Sequence, residues 1–139
     1  MNSIKIALKI AEYAHKDQVD KAGVSYINHP IMVSKLCKSK KAKIVALLHD
    51  VIEDSNVTID DLKPYFTNDI LQAILCVTKE ENYDYENYLN RIKNNPLAKE
   101  VKIADLTHNM DLSRLSNITE DDLKRYEKYK KSIEFLKEE

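Results

Sequence analysis

One glycine, Gly23, occurs in the 139 residues. That scarcity removes the Walker A loop and the dinucleotide fingerprint, each of which needs several glycines at fixed spacing, so any phosphate must be held by side chains and metal. Cysteine is nearly as sparse. Cys37 and Cys76 stand singly in apolar helical patterns with no C-x-x-C spacing, which reads as two buried thiols, a catalytic one being the minor alternative. Neither sign of charge prevails: 22 Lys and Arg face 23 Asp and Glu, a net charge of -1. The basic footprint of a nucleic-acid polymer or membrane-surface binder is therefore missing. No apolar run approaches the roughly 20 residues of a membrane span, and Met1-Asn2-Ser3-Ile4-Lys5 lacks the charged and apolar regions of a signal peptide. The expected location is the cytoplasm. Strand alternation, internal repeats and linkers are also wanting, so residues 1–139 read as one domain that buries roughly two-thirds of its unfolded surface.

What is present is helical periodicity. Ile4, Ala7, Leu8, Ala11 and Ala14 recur behind a Ser3 cap and define a first amphipathic helix. A loop at 20–25, where Gly23 can take positive φ, leads to Tyr26-Ile27-Asn28-His29-Pro30, and Pro30 suits the first turn of a second helix. A third helix from about Lys41 is apolar nearly all round until its acids appear, which marks it as central to a bundle. Thr58 with Asp61 resembles a capping box, and Thr67 precedes a buried helix. Residues 78–84 read as a polar loop over the site, followed by a short helix at 85–93. Asn95-Pro96 starts a helix whose face runs from Leu97 to Leu115, and Thr119 with Asp122 opens a long charged one. The expected fold is all-α, a bundle of about eight helices.

Ala46-Leu47-Leu48-His49-Asp50-Val51-Ile52-Glu53-Asp54 places one imidazole and three carboxylates at the end of an apolar run. On a continuous helix Glu53 would lie over His49 and Asp50, and Asp54 over Asp50. Acids so gathered repel one another unless a cation sits among them. Val101-Lys102-Ile103-Ala104-Asp105-Leu106-Thr107-His108-Asn109 puts Asp105, His108 and Asn109 on one face by the same rule. His29, His49, Asp50 and Asp105 then form a mixed nitrogen and oxygen ligand set, open by its chemistry to Mn, Fe or Zn. Each residue also has a plainer role: Asp105 as a partner of Lys102, Glu53 and Asp54 as acids in a solvated last turn, His15 as a rim residue. The occurrence of all three patterns in one short chain favours a metal site. Lys21, Lys79 and Lys102 are candidate phosphate contacts, or simply exposed lysines.

The series Tyr26-Ile27-Asn28-His29-Pro30, Ala46 to Asp54, Val77-Thr78-Lys79 and Val101 to Asp105 with His108-Asn109-Met110 resembles the HD-superfamily hydrolase domain of RelA/SpoT-type alarmone hydrolases. The resemblance runs from the first helix to Leu115. It implies an all-helical domain that binds Mn²⁺ through His29, His49, Asp50 and Asp105 and removes the 3′-pyrophosphate from (p)ppGpp. Glu53 and Asp54 would act on the attacking water, and Asn109 would line the nucleotide site. A stand-alone hydrolase is implied, with a phosphorylated nucleotide as its small-molecule partner. Two features depart from the family pattern. Asp20 precedes Lys21 where a basic residue is usual, and Leu106-Thr107-His108-Asn109-Met110-Asp111-Leu112 lacks the expected arginines. Asp20 and Asp111 would repel a polyanion, so replacing both by arginine is expected to improve ppGpp turnover. Hydrolysis of another nucleotide or phosphoester, or a non-catalytic nucleotide sensor, is the alternative.

Overall fold

The computed structural model describes residues 2–138; Met1 and Glu139, the ends of the expected single domain, lie outside them. Among the described residues nine α-helices follow in order: α1 Ser3–His15, α2 Asn28–Leu36, α3 Lys40–Leu48, α4 Val51–Asp54, α5 Ile59–Leu62, α6 Asn68–Val77, α7 Tyr85–Lys93, α8 Pro96–Asn109 and α9 Glu120–Lys137, with a 3₁₀ turn at Leu112–Arg114 before the last. The described residues contain no sheet, only an isolated bridge between Val19 and Ser25. Among them no helix is long and apolar enough to cross a membrane.

The centre of the bundle is α3. Ala42 and Ile44 through Leu48 are all buried, and the helix packs against α1, α2, α6 and α8. An all-round apolar helix has no solvent face to offer, so the others must surround it. Local signals set most boundaries. The Thr58–Asp61 and Thr119–Asp122 capping boxes both form, and the Asn95 side chain accepts from the Ala98 N–H with Pro96 in the first turn behind it. Gly23 has φ +80°, the left-handed conformation its loop requires. Cys37 and Cys76 are free and buried.

Four expectations change. The first helix is capped by Asn2, whose side chain accepts from the Lys5 N–H, and not by Ser3. The expected third helix is two: the chain turns at His49 and Asp50, where Asp50 has φ −109° and ψ 0°, and resumes as α4. The helix from Pro96 stops at Asn109 because Asp111 takes an extended backbone and its side chain caps the 3₁₀ turn through the Ser113 N–H. His15 is no rim residue; it is 2% exposed, sealed between the end of α1 and Tyr26.

Candidate metal centre and its cavity

Three helices meet at Asp105. Its Oδ1 lies 2.8 Å from His29 Nε2, 3.3 Å from His49 Nε2 and 3.2 Å from the Asn109 amide, while Oδ2 accepts from Lys102 Nζ at 3.0 Å. His29 comes from the first turn of α2, His49 from the turn after α3, and Asp105, Lys102 and Asn109 from consecutive turns of α8. His29, His49 and Asp105 are all buried, and each offers a ligand atom within 4.8 Å of the others. Asp50 stands beside this trio. Its Oδ2 is 3.0 Å from His49 Nε2 and accepts the Tyr26 hydroxyl at 2.5 Å.

The break at His49 orients the imidazole. Nδ1 donates to the Ala46 carbonyl at 2.5 Å, which fixes the hydrogen on that nitrogen and leaves Nε2 facing Asp50 and Asp105. Both carboxylates are close, at 3.0 and 3.3 Å. Positive charge is what this position calls for: against burial, the Asp50 and Asp105 carboxylates raise His49 well above the ordinary imidazole range, and a proton on Nε2 or a metal ion bound there meets the same demand. The backbone-bonded Nδ1 is the usual outer support of a metal-ligating histidine. The donor set present therefore fits a metal ion.

Electrostatics agree with the geometry. Burial works against an ionised Asp105, but Lys102, His49 and His29 outweigh it and hold the carboxyl well below its ordinary range. For Asp50, burial is likewise overcome by His49, with the Tyr26 hydroxyl adding to it. Burial disfavours charge on Lys102, yet Asp105 keeps its ammonium protonated beyond the ordinary lysine range. Both acids thus stay anionic despite their burial. The two acids of α4 lean the other way: burial, then the nearby Asp50 charge, pushes Asp54 up, and Glu53 is raised chiefly by burial, against the Lys79 N–H that its carboxylate accepts.

These groups line a cavity of about 310 Å³. Glu53, Asp54, Lys79, Tyr85, Tyr88 and Lys128 are among the other residues that line it. A second cavity of about 350 Å³ adjoins it, and Asp20, Tyr26, Asn109, Arg114 and Tyr129 border both. Together they make a trough leading out from the His–Asp cluster, large enough for a small polyanion.

Most of the sequence-marked residues converge here, though not all in the roles foreseen. Lys79 reaches the first cavity, Lys21 only the second. Lys102 lines the first cavity too, but it is buried and its ammonium bonds Asp105, so it braces that carboxylate. The two acids expected to repel substrate border the cavities and are also tied into local structure. Asp20 Oδ1 accepts the Ala22 and Val24 N–H groups, and its Oδ2 pairs with Arg114 at 3.3 Å; Asp111 caps the turn that carries Arg114. Arg114 itself went unmarked in the sequence. Tyr26 and His108 stand within the quoted motifs but without an assigned role; His108 Nδ1 lies 2.7 Å from His29 Nδ1, and no periodicity signals what either residue touches.

Buried His and Asp groups brought together from separate elements of an all-α bundle agree with the HD-type domain that the sequence resembles. No family model matches the chain. It is 40% identical over 125 residues to the guanosine-3′,5′-bis(diphosphate) 3′-pyrophosphohydrolase of Borreliella burgdorferi, a match covering 78% of this chain and 18% of that one. It is 30% identical over 124 residues to the bifunctional (p)ppGpp synthase/hydrolase SpoT of Escherichia coli, covering 77% of this chain and 17% of that one. The chain thus spans less than a fifth of the length of the curated relatives it matches. In structure it superimposes with a TM-score of 0.80, at 23% identity, on a metazoan ortholog of SpoT that hydrolyses ppGpp, covering 99% of this chain and 86% of that one. The chain has the all-α bundle of HD-type domains and is similar to part of the (p)ppGpp hydrolases named above.

Proposed function

We propose that this domain is a metal-dependent phosphohydrolase that removes the 3′-pyrophosphate from (p)ppGpp or a close analogue, in the cytoplasm where such nucleotides are found. The observation that carries the reading is the convergence of His29, His49, Asp50 and Asp105, which line the same cavity as Glu53 and Asp54. His29, His49, Asp50 and Asp105 would hold the ion, and a mixed nitrogen and oxygen set of this kind suits Mn²⁺, with Fe and Zn as the other candidates. A divalent ion there supplies Lewis acidity toward the phosphoryl oxygen and a more acidic water.

The chain's own groups do the rest. Glu53 is the general base: burial raises its proton affinity toward the working range of such a group, and the Lys79 N–H holds its carboxylate in place. Water adds to the 3′-linked phosphorus as Glu53 takes its proton, the bond from that phosphorus to the 3′ oxygen breaks, the proton is passed on to the departing 3′ oxygen, and pyrophosphate is released. Asp54, beside Glu53 on α4, orients the water. Lys79, Lys128 and Arg114 offset phosphate charge along the trough, and Asn109 reaches both of its halves. Lys21 serves the outer half only.

The test is Mn²⁺-loaded protein incubated with ppGpp, with GDP and pyrophosphate followed by chromatography. Stoichiometric GDP is expected, falling about 10²–10⁴-fold in Glu53→Gln while bound metal stays constant, the usual weight of a general base. No GDP from the metal-loaded parent would overturn the reading.

A further inference from the structure

The reacting acids sit on the least self-supporting element of the fold. α4 is four residues long, too short to hold its own direction, since a single turn gains little from internal hydrogen bonds against the cost of ordering it. Something outside α4 must set where Glu53 and Asp54 point. On the Glu53 side that support is the Lys79 N–H. On the Asp54 side it is the end of α1.

Gln18, just beyond α1, uses its amide nitrogen twice, donating to the Ala14 carbonyl at 3.3 Å and to the Asp54 carbonyl at 2.9 Å. Both contacts are carbonyl oxygens, so the amide cannot be turned the other way. Its Oε1 must therefore accept, and the donor is Nδ1 of His15 at 2.9 Å. The His15 ring is 2% exposed, and its other nitrogen has no partner. A buried histidine with an unsatisfied nitrogen costs stability, and this one lies with its ring 4.9 Å from the Tyr26 ring. Tyr26 in turn stands 5.7 Å from the His29 ring and gives its hydroxyl to Asp50. One polar side-chain pair thus touches both the last carbonyl of α4 and the aromatic ring that holds Asp50.

We propose that His15 and Gln18 are positioning residues of the hydrolytic site, a strut from α1 that fixes the end of α4 and the Tyr26 ring and so orients Asp54 and Asp50. Neither residue touches substrate. The inference rests on the hydrolase reading for its kinetic consequence, but the mechanical part stands without it.

Two variants and two measurements test it. Gln18→Met keeps the length of a half-buried side chain and removes all three of its hydrogen bonds; His15→Phe keeps a ring against Tyr26 and removes the donor to Gln18. With ppGpp and Mn²⁺, kcat per metal-loaded protein is expected to fall on the order of 10–10²-fold in both, the consequence of misplacing reacting groups by about an ångström. KM should change less than about twofold. Hydrogen exchange read by mass spectrometry supplies the second measurement: in Gln18→Met the peptide covering residues 51–55 should exchange at least about tenfold faster than in the parent, while peptides from α3 and α6 keep their rates. Unchanged kcat in Gln18→Met overturns the proposal, as does exchange that is unaltered or accelerated uniformly, which is what a merely structural contact would give. If the parent does not hydrolyse ppGpp, the hydrolase reading fails, and the exchange pattern alone decides whether the strut exists.

Discussion

Asp105 is the residue whose loss separates metal binding from folding, and the structure sets the size of both effects. Asp105→Ala deletes one of the buried acids facing His49 Nε2, so stoichiometric metal should be lost. It also strands the ammonium of Lys102, which is 7% exposed and has its salt bridge with Asp105 at 3.0 Å. Breaking a buried pair from one side costs about 3–5 kcal/mol, because the remaining charge stays desolvated without a partner. That is a large part of the 5–15 kcal/mol typical of a whole domain, so the variant should show a much lower urea midpoint at unchanged slope. The compensating change is Lys102→Met in the same chain. An apolar side chain of similar length beside Tyr88, whose ring lies 5.3 Å from the ammonium, removes the stranded charge and should recover most of the lost stability without recovering metal. The assays are urea unfolding by circular dichroism and elemental analysis of the purified proteins. Metal retained at stoichiometric level in Asp105→Ala would refute the ligand assignment. A double variant no more stable than Asp105→Ala would refute the account of Lys102 as a buried brace.

Three further outcomes follow from the same geometry. Burial and then the acidic neighbours raise Glu53 above the ordinary 4.5, so kcat should hold at higher pH and be lost as pH falls through that raised value; because the folded state then binds the proton more tightly than the unfolded one, this protonation does not itself unfold the chain, and unchanged far-UV circular dichroism across the acid limb checks the separation. Stripping metal with a chelator and returning Mn²⁺ at a hundred times its Kd should stabilise the fold by about 2.7 kcal/mol, read as a rise in Tm; no rise would count against an ion shared by His29, His49, Asp50 and Asp105. Asp20→Arg should lower Tm and raise KM for ppGpp, since it removes the acceptor of two loop N–H groups and sets a second cation beside Arg114; improved turnover would show that Asp20 opposes the nucleotide directly.

Much of this protein is set by neighbours along the chain. The capping boxes at Thr58 and Thr119, the Asn95-Pro96 start and the all-round apolar α3 are legible because each depends on residues within four positions of one another. The i, i+3 and i, i+4 rule likewise places Lys102, Asp105 and Asn109 on one face before any coordinates exist. The break at His49–Asp50 is not legible in this way. Leu-Leu-His-Asp-Val carries no glycine or proline to announce it, and the turned backbone is accompanied by an imidazole bonded to the carbonyl of Ala46 and by a tyrosine hydroxyl arriving on Asp50 from 24 residues away. The same holds for Asp20. Its acidity next to Lys21 suggests repulsion of a polyanion, until Arg114 is found on it from 94 residues further along. Local spacing determined which side chains could gather; burial and long-range partners decided their roles, turning Lys102 into a brace, Asp20 into a loop anchor and His15 from an expected rim residue into part of the interior. The physical reason is that propensity and periodicity act over one or two helical turns, whereas the charge and direction of a buried group are set by whatever the folded chain packs against it.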